Sequence, residues 1–446
     1  MGFGCAWYCD KITQSGGSMF KRKVKKVQKQ QKEKKKRKLQ WGLFFDKVRH
    51  FFSLTPKSDR LVSLAVLLLV ICGTVMIIST NVGGTTSNAN IVLTTTIRQV
   101  VYLVISFLFM WVANHIFNFK WFSKAQNMIL IFAFIFMLMP LAFAASGGSH
   151  AWIRLPGGVT IQPAEFAKPL LILVFATSLY QARKDASMTR HWQILFRKPF
   201  ICWAMLMVGI VLQHDYGTGF IISFIFFICL MIPAYPQMET FQKWLRRIIG
   251  TIFIVALVLF WVTDIGTSIL SHTPLAHIAT RIENAKNPYT DVYGSGYQPA
   301  NALYGIGSGG LFGRGIGGSL RKYGYLTQAD NDYILAVIIE ETGIFGLGIL
   351  SLLYGLLIYR FFYYAFKTNE FTYKTVLVGS SAYLFIHFVL NVGGVSGLIP
   401  STGVPLLFIS SGGSSLMAAF ITIGLCQQCI SQIRLKEMKS NAYRIR

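Results

Sequence analysis

Ten apolar stretches, each near 20 residues long, constrain the fold of this chain more than any other feature of its sequence. About 20 apolar residues suffice to cross the hydrocarbon core of a membrane as a helix. Charged residues make up only 13% of the chain, about half of the ~25% that is usual in soluble domains. The sequence therefore predicts an all-α polytopic membrane protein with about ten transmembrane helices. The predicted spans are 60–80, 97–116, 124–145, 165–182, 199–213, 217–234, 247–264, 333–360, 374–396 and 403–430.

The distribution of Lys and Arg predicts the orientation of these helices. Basic residues concentrate in the loops after the second, fourth, sixth and eighth predicted spans, and such loops usually lie in the cytoplasm. We therefore expect both termini in the cytoplasm and a large extracytoplasmic loop at 265–332, between the seventh and eighth helices. The other expected parts are a basic, disordered cytoplasmic tail (1–59), the membrane domain (60–430) and a basic cytoplasmic C-terminal tail (431–446).

The N-terminal tail is strongly basic, since 12 of the 18 residues from Lys21 to Lys38 are Lys or Arg. Such a run can bind anionic lipid headgroups, at about 1 kcal/mol per basic residue near the surface. It can equally be a solvated tail that only helps to set the topology. Nucleic-acid binding is not expected, because no aromatic stacking platform accompanies the charge.

A glycine-rich segment lies in the predicted outer loop. Gly305, Gly307 and Gly310 fit the pattern G-x-G-x-x-G, which binds dinucleotides when it follows a strand and opens a helix. An extracytoplasmic loop offers neither that context nor a nucleotide pool. We therefore interpret the glycines as residues that let a re-entrant or tightly turning loop pack near the membrane. Direct contact of their amides with a phosphate is the alternative.

Several ionisable residues lie at or near membrane depth, where such groups are costly and usually functional. Asp332 precedes the eighth span, and Glu340 and Glu341 lie within it. Glu340 is turned about 80° from Asp332 around a helix and could share a wall with it, whereas Glu341 points away. In the fourth span Glu165 and Lys168 share one helical face. They form either a buried ion pair that fixes helix packing or part of a polar cavity.

The outer loops supply further polar side chains. Trp152 and Arg154 precede the fourth span, although Trp is common at membrane interfaces without any catalytic role. In the long loop, the side chains of Arg281, Arg321 and Lys322 are suited to bind phosphate. No residues have the spacing of metal ligands, so no metal site is predicted. This set suits group transfer on a lipid-borne phosphate or transport of an anionic lipid, and it does not choose between them.

Five motifs follow one another along residues 60–430. They are WIRLPGG…IQPAEFAK (152–168), LQHDYGTG (212–219), GSGYQPANALYGIGSGGLFGRGIG (294–317), DNDYILAVIIEETGIFG (330–346) and NVGGVSGLIPSTGVPLLFISSGGSS (391–415). In this order they resemble the SEDS family, which includes FtsW, RodA and SpoVE. The sequences NVGGVSG and IIEETG resemble the division branch (FtsW) more than the elongation branch (RodA).

The resemblance implies a ten-helix peptidoglycan glycosyltransferase that polymerises lipid II at the outer face of the membrane. The expected reaction is a single displacement with inversion at C1 and release of undecaprenyl pyrophosphate. The implied partners are lipid II, a class B penicillin-binding protein acting as transpeptidase and other division proteins, so the division septum is the expected location. No cofactor is predicted, and a divalent cation (Mg²⁺ or Mn²⁺) beside the pyrophosphate remains an open alternative.

The resemblance also implies roles for residues. Asp332 corresponds to the general base that removes the proton of the acceptor 4-hydroxyl. The candidates for binding substrate or pyrophosphate are Trp152, Arg154, Lys168, Arg281, Arg321 and Lys322. The supporting candidates are Glu165, Asp330, Glu340 and Ser410.

The chain departs from the family pattern at several positions, and two of the departures remove a charged residue. Ala151 replaces the basic residue that usually precedes the Trp, and Gly324 stands where many division members have a Glu. Asp330 is a nearby candidate to replace that acid.

Two other functions remain open at this point. A lipid II flippase or transporter would line its path with Glu340, Glu341 and Lys168. A scaffold would activate the transpeptidase without chemistry of its own.

Overall fold

A computed structural model describes residues 57–83, 90–145, 149–155, 159–273 and 276–444. Nearly all of the predicted basic tail, and with it the predicted contact with anionic lipids, lies outside the described residues.

The described residues form thirteen α-helices and one short β-hairpin. The helices are α1 (Arg60–Val82), α2 (Ile91–His115), α3 (Phe119–Leu138), α4 (Pro163–Ala182), α5 (Trp192–Gln213), α6 (Tyr216–Met231), α7 (Glu239–Leu257), α8 (Ile265–Ser271), α9 (Ala276–Lys286), α10 (Tyr297–Gly309), α11 (Ile334–Lys367), α12 (Phe371–Val395) and α13 (Gly413–Arg444). The strands β1 (Ile153–Leu155) and β2 (Val159–Ile161) pair antiparallel, with Arg154 opposite Thr160. Short 3₁₀ segments lie at Met139–Ala142, Ala186–Thr189 and Pro236–Met238, and a π-helical turn at Val258–Val262 extends α7.

The predicted all-α, polytopic architecture is confirmed. Each predicted span corresponds to one helix, namely α1 to α7 and α11 to α13. Eight of these are long and apolar enough to cross a membrane. The other two are α4, which carries Glu165 and Lys168, and α6, which has only 16 residues. Both lie within the bundle, where α4 contacts α3, α5, α6, α12 and α13.

The last span differs from its prediction at both ends. It was expected at 403–430, but α13 begins at Gly413 because the preceding residues form an irregular loop in which Gly403 and Phe408 have positive φ angles. We call residues 403–412 the α13 entry loop. At its other end α13 continues to Arg444, so most of the predicted C-terminal tail is helical.

The long loop between α7 and α11 is largely helical, since it contains α8, α9 and α10. After α10, the chain packs against a break in α11 at Gly343, where φ is 70° and ψ is −170°. The amide of Arg314 donates to the carbonyl of Glu340 (2.9 Å), and the amide of Ile344 donates to the carbonyl of Gly310 (3.0 Å). Unpaired backbone groups at membrane depth are costly. The glycine-rich segment therefore supplies hydrogen bonds that the broken helix cannot make internally.

Glycine is required on both sides of this packing. A Cβ atom at Gly313 would lie 2.2 Å from the carbonyl oxygen of Glu341, and one at Gly343 would lie 2.2 Å from that of Leu311. The sequence predicted a tightly turning loop at Gly305, Gly307 and Gly310, but Gly305 and Gly307 belong to α10 and the turns begin at Gly310. The G-x-G-x-x-G pattern here is therefore not a strand–turn–helix nucleotide site.

A second buried connection joins the start of α1 to α11 and α13. The Asp59 carboxylate accepts from the amide of Leu61 (2.8 Å), pairs with Arg360 and lies 3.6 Å from Nη2 of Arg434. Its backbone amide donates to Oε1 of Gln427 (2.7 Å), and Nε2 of Gln427 donates to its carbonyl (2.9 Å). Segments separated by 368 residues are thereby held together.

Candidate active site

Asp332 lies just before α11, on the wall of a cavity of about 520 Å³. This Asp332 cavity is formed by α9, α10, the segment before α11, the end of α12 and the loop that follows α12. Its polar lining residues are Arg281, Asn284, Ser295, Gln298, Gln328, Asp332, Tyr333 and Ser401.

The backbone of the segment before α11 is fixed from two sides. Nδ2 of Asn391, on α12, donates to the carbonyls of Asp332 (2.9 Å) and Val404 (2.8 Å). From the α13 entry loop, Oγ of Ser410 donates to the carbonyl of Asn331 (2.7 Å). Ser410 was a predicted supporting residue, and its hydroxyl holds the residue that adjoins Asp332.

The carboxyl group of Asp332 is desolvated but reachable from the cavity. Its Oδ1 atom is buried and has no hydrogen-bond partner among the described residues. Burial raises the pKa of Asp332 to about 6, and the neighbouring Asp330 adds to this rise. The backbone amides of Asp332 and Tyr333 and the charge of Arg281 oppose it. A carboxylate with this pKa is ionised at neutral pH and is a stronger base than an ordinary Asp, which suits general-base chemistry.

Arg281 supplies the positive charge of the Asp332 cavity. It lies on α9 with an exposed side chain, and Nη1 donates to the carbonyl of Ser401 (3.1 Å). An anionic ligand in the cavity would therefore meet a guanidinium group within the same lining as the base.

A second cavity of about 490 Å³ adjoins the same segment. Trp152 and Asp330, both predicted site residues, line it together with Arg98 and Tyr102 of α2. We call it the Trp152 cavity. Gln328 lines both cavities, so the chain from 328 to 332 forms a shared wall.

Glu340 and Glu341 are structural acids rather than partners of Asp332. The helical geometry allowed Glu340 to share a wall with Asp332, but Glu340 is buried outside that lining. Its Oε2 accepts from Oγ of Ser319 (2.5 Å) and its Oε1 accepts from the amide of Leu320 (3.2 Å). Glu341 accepts from Oγ of Ser79 (2.8 Å) and forms a buried ion pair with Lys322. Both acids fasten the end of the glycine-rich segment to α11.

Two predicted phosphate-binding lysines are buried in ion pairs. Nζ of Lys322 lies 3.1 Å from Oε1 of Glu341, and its side chain is 1% exposed. Nζ of Lys168 lies 2.6 Å from Oε1 of Glu165 and 3.0 Å from Nε2 of His387. Of the two interpretations of Glu165 and Lys168, the geometry matches the ion pair that fixes helix packing. Neither lysine lines the Asp332 cavity or the Trp152 cavity.

Two predicted arginines lie outside the linings of these cavities. Arg154 is exposed on β1, with Nη2 near the carbonyl of Ala145 (3.5 Å). Nη1 of Arg321 donates to Oδ1 of Asn301 (2.9 Å), and the guanidinium lies over the rings of Tyr304 and Tyr325.

Sequence reasoning missed Asn391, Arg98 and Gln328. Asn391 opens the motif NVGGVSG, but it carries no charge that would mark it as a site residue. Arg98 lies at the edge of the second predicted span, where a single basic residue has no pattern of its own. Gln328 has no pattern of its own, and only the fold shows that it borders both cavities.

Among the described residues, each cavity is lined by one carboxylate, Asp332 in the first and Asp330 in the second. Divalent cations of the Mg²⁺ type prefer several oxygen ligands. A cation at either place would therefore take most of its ligands from oxygen atoms of the substrate.

Comparison with known proteins identifies the family. The family model for FtsW, RodA and SpoVE, described as "Cell cycle protein", matches residues 59–434. The chain belongs to the FtsW/RodA/SpoVE family. This confirms the resemblance found in the five motifs.

Individual members of the FtsW/RodA/SpoVE family match most of the chain. It is 33% identical over 321 residues to the "Probable peptidoglycan glycosyltransferase FtsW" of Bacillus subtilis, covering 71% of this chain and 76% of that protein. It is 30% identical over 335 residues to the "Stage V sporulation protein E" of the same organism, covering 74% and 84%.

Solved structures share the FtsW/RodA/SpoVE fold. A chain from the structure described as "Structural coordination of polymerization and crosslinking by a peptidoglycan synthase complex" has a TM-score of 0.64 at 22% identity, covering 85% of this chain and 99% of that one. The Thermus thermophilus rod shape determining protein RodA has a TM-score of 0.54 at 21% identity, covering 85% and 98%. Together with the apolar helices, family membership shows a multi-pass membrane protein.

The two departures from the family pattern have structural correlates. Ala151 is 1% exposed, so a basic side chain would not fit here without rearrangement. Gly324 has a φ of 90°, a conformation that Glu would adopt only with strain.

Proposed function

We propose that this chain is a peptidoglycan glycosyltransferase that polymerises lipid II, with Asp332 as its general base. The observation that carries the proposal is a desolvated carboxylate with one unpaired oxygen, set in a cavity of about 520 Å³ beside Arg281. The names of the FtsW relatives support the same activity.

In the proposed reaction, Asp332 takes the proton of the acceptor 4-hydroxyl as its oxygen attacks C1 of the donor sugar. The bond from C1 to the pyrophosphate breaks, and the configuration at C1 inverts. Because pyrophosphate leaves without being protonated, one carboxylate is sufficient, whereas glycosidases need two. A positioned base typically contributes about 10²–10⁴-fold to the rate.

The remaining residues have proposed roles that follow from their positions. Arg281 stabilises the charge of the pyrophosphate, and Asp330 helps to keep Asp332 basic. Trp152 offers an apolar ring to a sugar. Arg154 and Arg321 are assigned to the outer rim, where a headgroup could reach them, while Lys168 and Lys322 hold the structure.

The two cavities suit two lipid-linked sugars. Lipid II in one cavity and the growing strand in the other would meet at the wall formed by residues 328–332. A polymerase needs both substrates at one base, and a shared wall provides that arrangement without any large movement of the helices.

The proposed partner is a class B penicillin-binding protein, because the similar fold described above comes from a complex that coordinates polymerisation and crosslinking. The FtsW names of the relatives favour a role in division with other division proteins, and hence a location at the septum. We propose cytoplasmic termini from the distribution of basic residues. A tagged copy that localised to the sidewall would contradict the division role.

The test is polymerisation of lipid II by the purified protein with its penicillin-binding partner in detergent. Asp332→Asn is expected to lower the rate by about 10²–10⁴-fold while folding and partner binding persist. The matched control is Asp264→Asn, which changes an 89%-exposed acid of the same outer region and should leave the rate unchanged.

Other outcomes of this test separate the alternative functions. Full polymerisation by Asp332→Asn would refute Asp332 as the base. Lipid movement in liposomes without any polymer would indicate a transporter, and activation of the partner that does not need Asp332 would indicate a scaffold.

A further inference from the structure

A third cavity, of about 350 Å³, lies at the far end of α4 from the catalytic region. The start of α4 adjoins the active site, since the amide of Gln162 donates to Oγ of Ser414 just after the α13 entry loop (3.0 Å). The cavity is lined by Ser178 and Gln181 near the end of that helix. At 1.5 Å per residue, the two ends of α4 are about 30 Å apart, so this cavity faces the opposite membrane interface.

The lining combines positive charge with apolar surface. Arg197 and Lys198, consecutive residues near the start of α5, contribute the charge, and none of the lining residues is acidic. The apolar part is supplied by Met188, Ile194 and Leu195. A ligand that fits this lining is an anion with an apolar portion.

The two cations lack an anionic partner in the described part of the chain. None of the ion pairs there includes Arg197 or Lys198. Lys198 donates only to a neutral amide oxygen, Oε1 of Gln126 (3.1 Å). Two adjacent like charges repel each other, and a phosphate between them would remove that repulsion while accepting charge-assisted hydrogen bonds.

An apolar stripe runs from this cavity along the outside of α5. Ile194 is 50% exposed at the cavity, and Ile201 and Val208 follow on the same side at 46% and 51%. Residues seven apart in a helix lie nearly above one another, so the stripe continues in the direction of the membrane normal. Its start at the cavity gives an acyl chain a path next to its headgroup.

We propose that this cavity binds the phosphate headgroup of an anionic phospholipid, with an acyl chain along Ile194, Ile201 and Val208. The lipid comes from the leaflet opposite to the one that faces Asp332. The site is separate from the catalytic cavities, and the proposal does not depend on the proposed enzymatic function.

The test is native mass spectrometry of the full-length protein released from nanodiscs that contain equal amounts of phosphatidylglycerol and phosphatidylcholine. The wild type is expected to retain phosphatidylglycerol preferentially. Replacing one cation, as in Arg197→Gln or Lys198→Gln, should weaken retention about fivefold. The matched control is Arg190→Gln, an exposed cation of the preceding loop outside the lining, and it should retain lipid like the wild type.

Equal retention of the two lipids by the wild type, or retention unchanged in both single variants, would overturn the proposal. A competition arm identifies the source of the phosphate. If inorganic phosphate or glycerol phosphate displaces the lipid at concentrations near those of the lipid itself, the site binds free phosphate and the lipid assignment is wrong.

Discussion

Three acids within ten residues of this chain lie in two contrasting environments. Glu340 and Glu341 are buried in α11, and their oxygens accept hydrogen bonds or pair with Lys322. Asp332 lies at the wall of a cavity, and one of its oxygens is buried without a partner in the described residues. A fully satisfied carboxylate fastens a fold, whereas an unsatisfied one stays available to a substrate. The difference predicts opposite consequences for stability when each site is altered.

The largest effect on stability is expected from breaking the buried pair of Lys322 and Glu341. Lys322→Ala should lower the free energy of unfolding by about 3–5 kcal/mol, because it leaves a buried carboxylate without its counter-charge. Arg314→Ala is the control, since Arg314 is 40% exposed and lies 3.8 Å from Glu340, and it should cost less than about 1 kcal/mol. Denaturant unfolding in detergent measures both, and equal losses would show that the buried pair has no special importance.

Removing the charge of Asp332 should raise the free energy of unfolding instead of lowering it. Its pKa of about 6 lies above the ordinary value of 3.8, so the folded protein favours the protonated form. The stability that the folded protein gains from this protonated carboxyl group is complete below pH 3.8 and is lost as the pH rises through about 6. Asp332→Asn should therefore be more stable than the wild type at pH 7, by at most about 3 kcal/mol.

The control for this prediction is a pH series of unfolding measurements. The advantage of Asp332→Asn should shrink as the pH falls toward 4. A variant that is less stable than the wild type at pH 7 would mean that the ionised carboxylate is well solvated or paired.

The pH dependence of polymerisation should report the same group. Below pH 6 the rate should fall about tenfold per pH unit, because only the ionised base accepts a proton. Asp330→Asn should move the midpoint to lower pH, and Arg281→Gln should move it to higher pH, since these residues shift the pKa in opposite directions. Initial rates between pH 5 and 8 provide the measurement. Shifts in the same direction for both variants would exclude Asp332 as the titrating group.

The smallest effect is expected at Asn391, which positions the backbone of Asp332. Asn391→Ala removes two hydrogen bonds to buried carbonyls, and about tenfold of kcat should be lost with little change in KM. The pH midpoint should stay where it is, because the carboxyl environment is retained. A rise in KM alone would instead place Asn391 in substrate binding.

Much of the fold could be predicted because apolar length is a direct requirement of the membrane. The break in α11 could not, since apolar residues lie on both sides of residues 340–343 and only the inserted segment explains the interruption. The α13 entry loop was mistaken for helix for a similar reason. Its residues VPLLFIS are apolar, but Phe408 has a φ of 66°, and no local pattern records that.

The site was predicted in part. Of the predicted residues, Asp332 and Arg281 line one cavity, and Trp152 and Asp330 line the other. The sequence showed that Lys168 and Lys322 carry charge, but not that acids from the same or a neighbouring helix would neutralise it. Charge can be read from a sequence, whereas the partner of a buried charge is a property of the packing.

The Asp59 connection has a consequence for how the protein is made. Asp59 is among the first residues of the membrane region to leave the ribosome, and Gln427 and Arg434 are among the last. Until synthesis reaches Gln427 and Arg434, Asp59 lacks the partners that these two residues provide in the folded protein. A chain that stops short of residue 427 is thus expected to leave the backbone of Asp59 without its two hydrogen bonds to Gln427, at the start of the first helix.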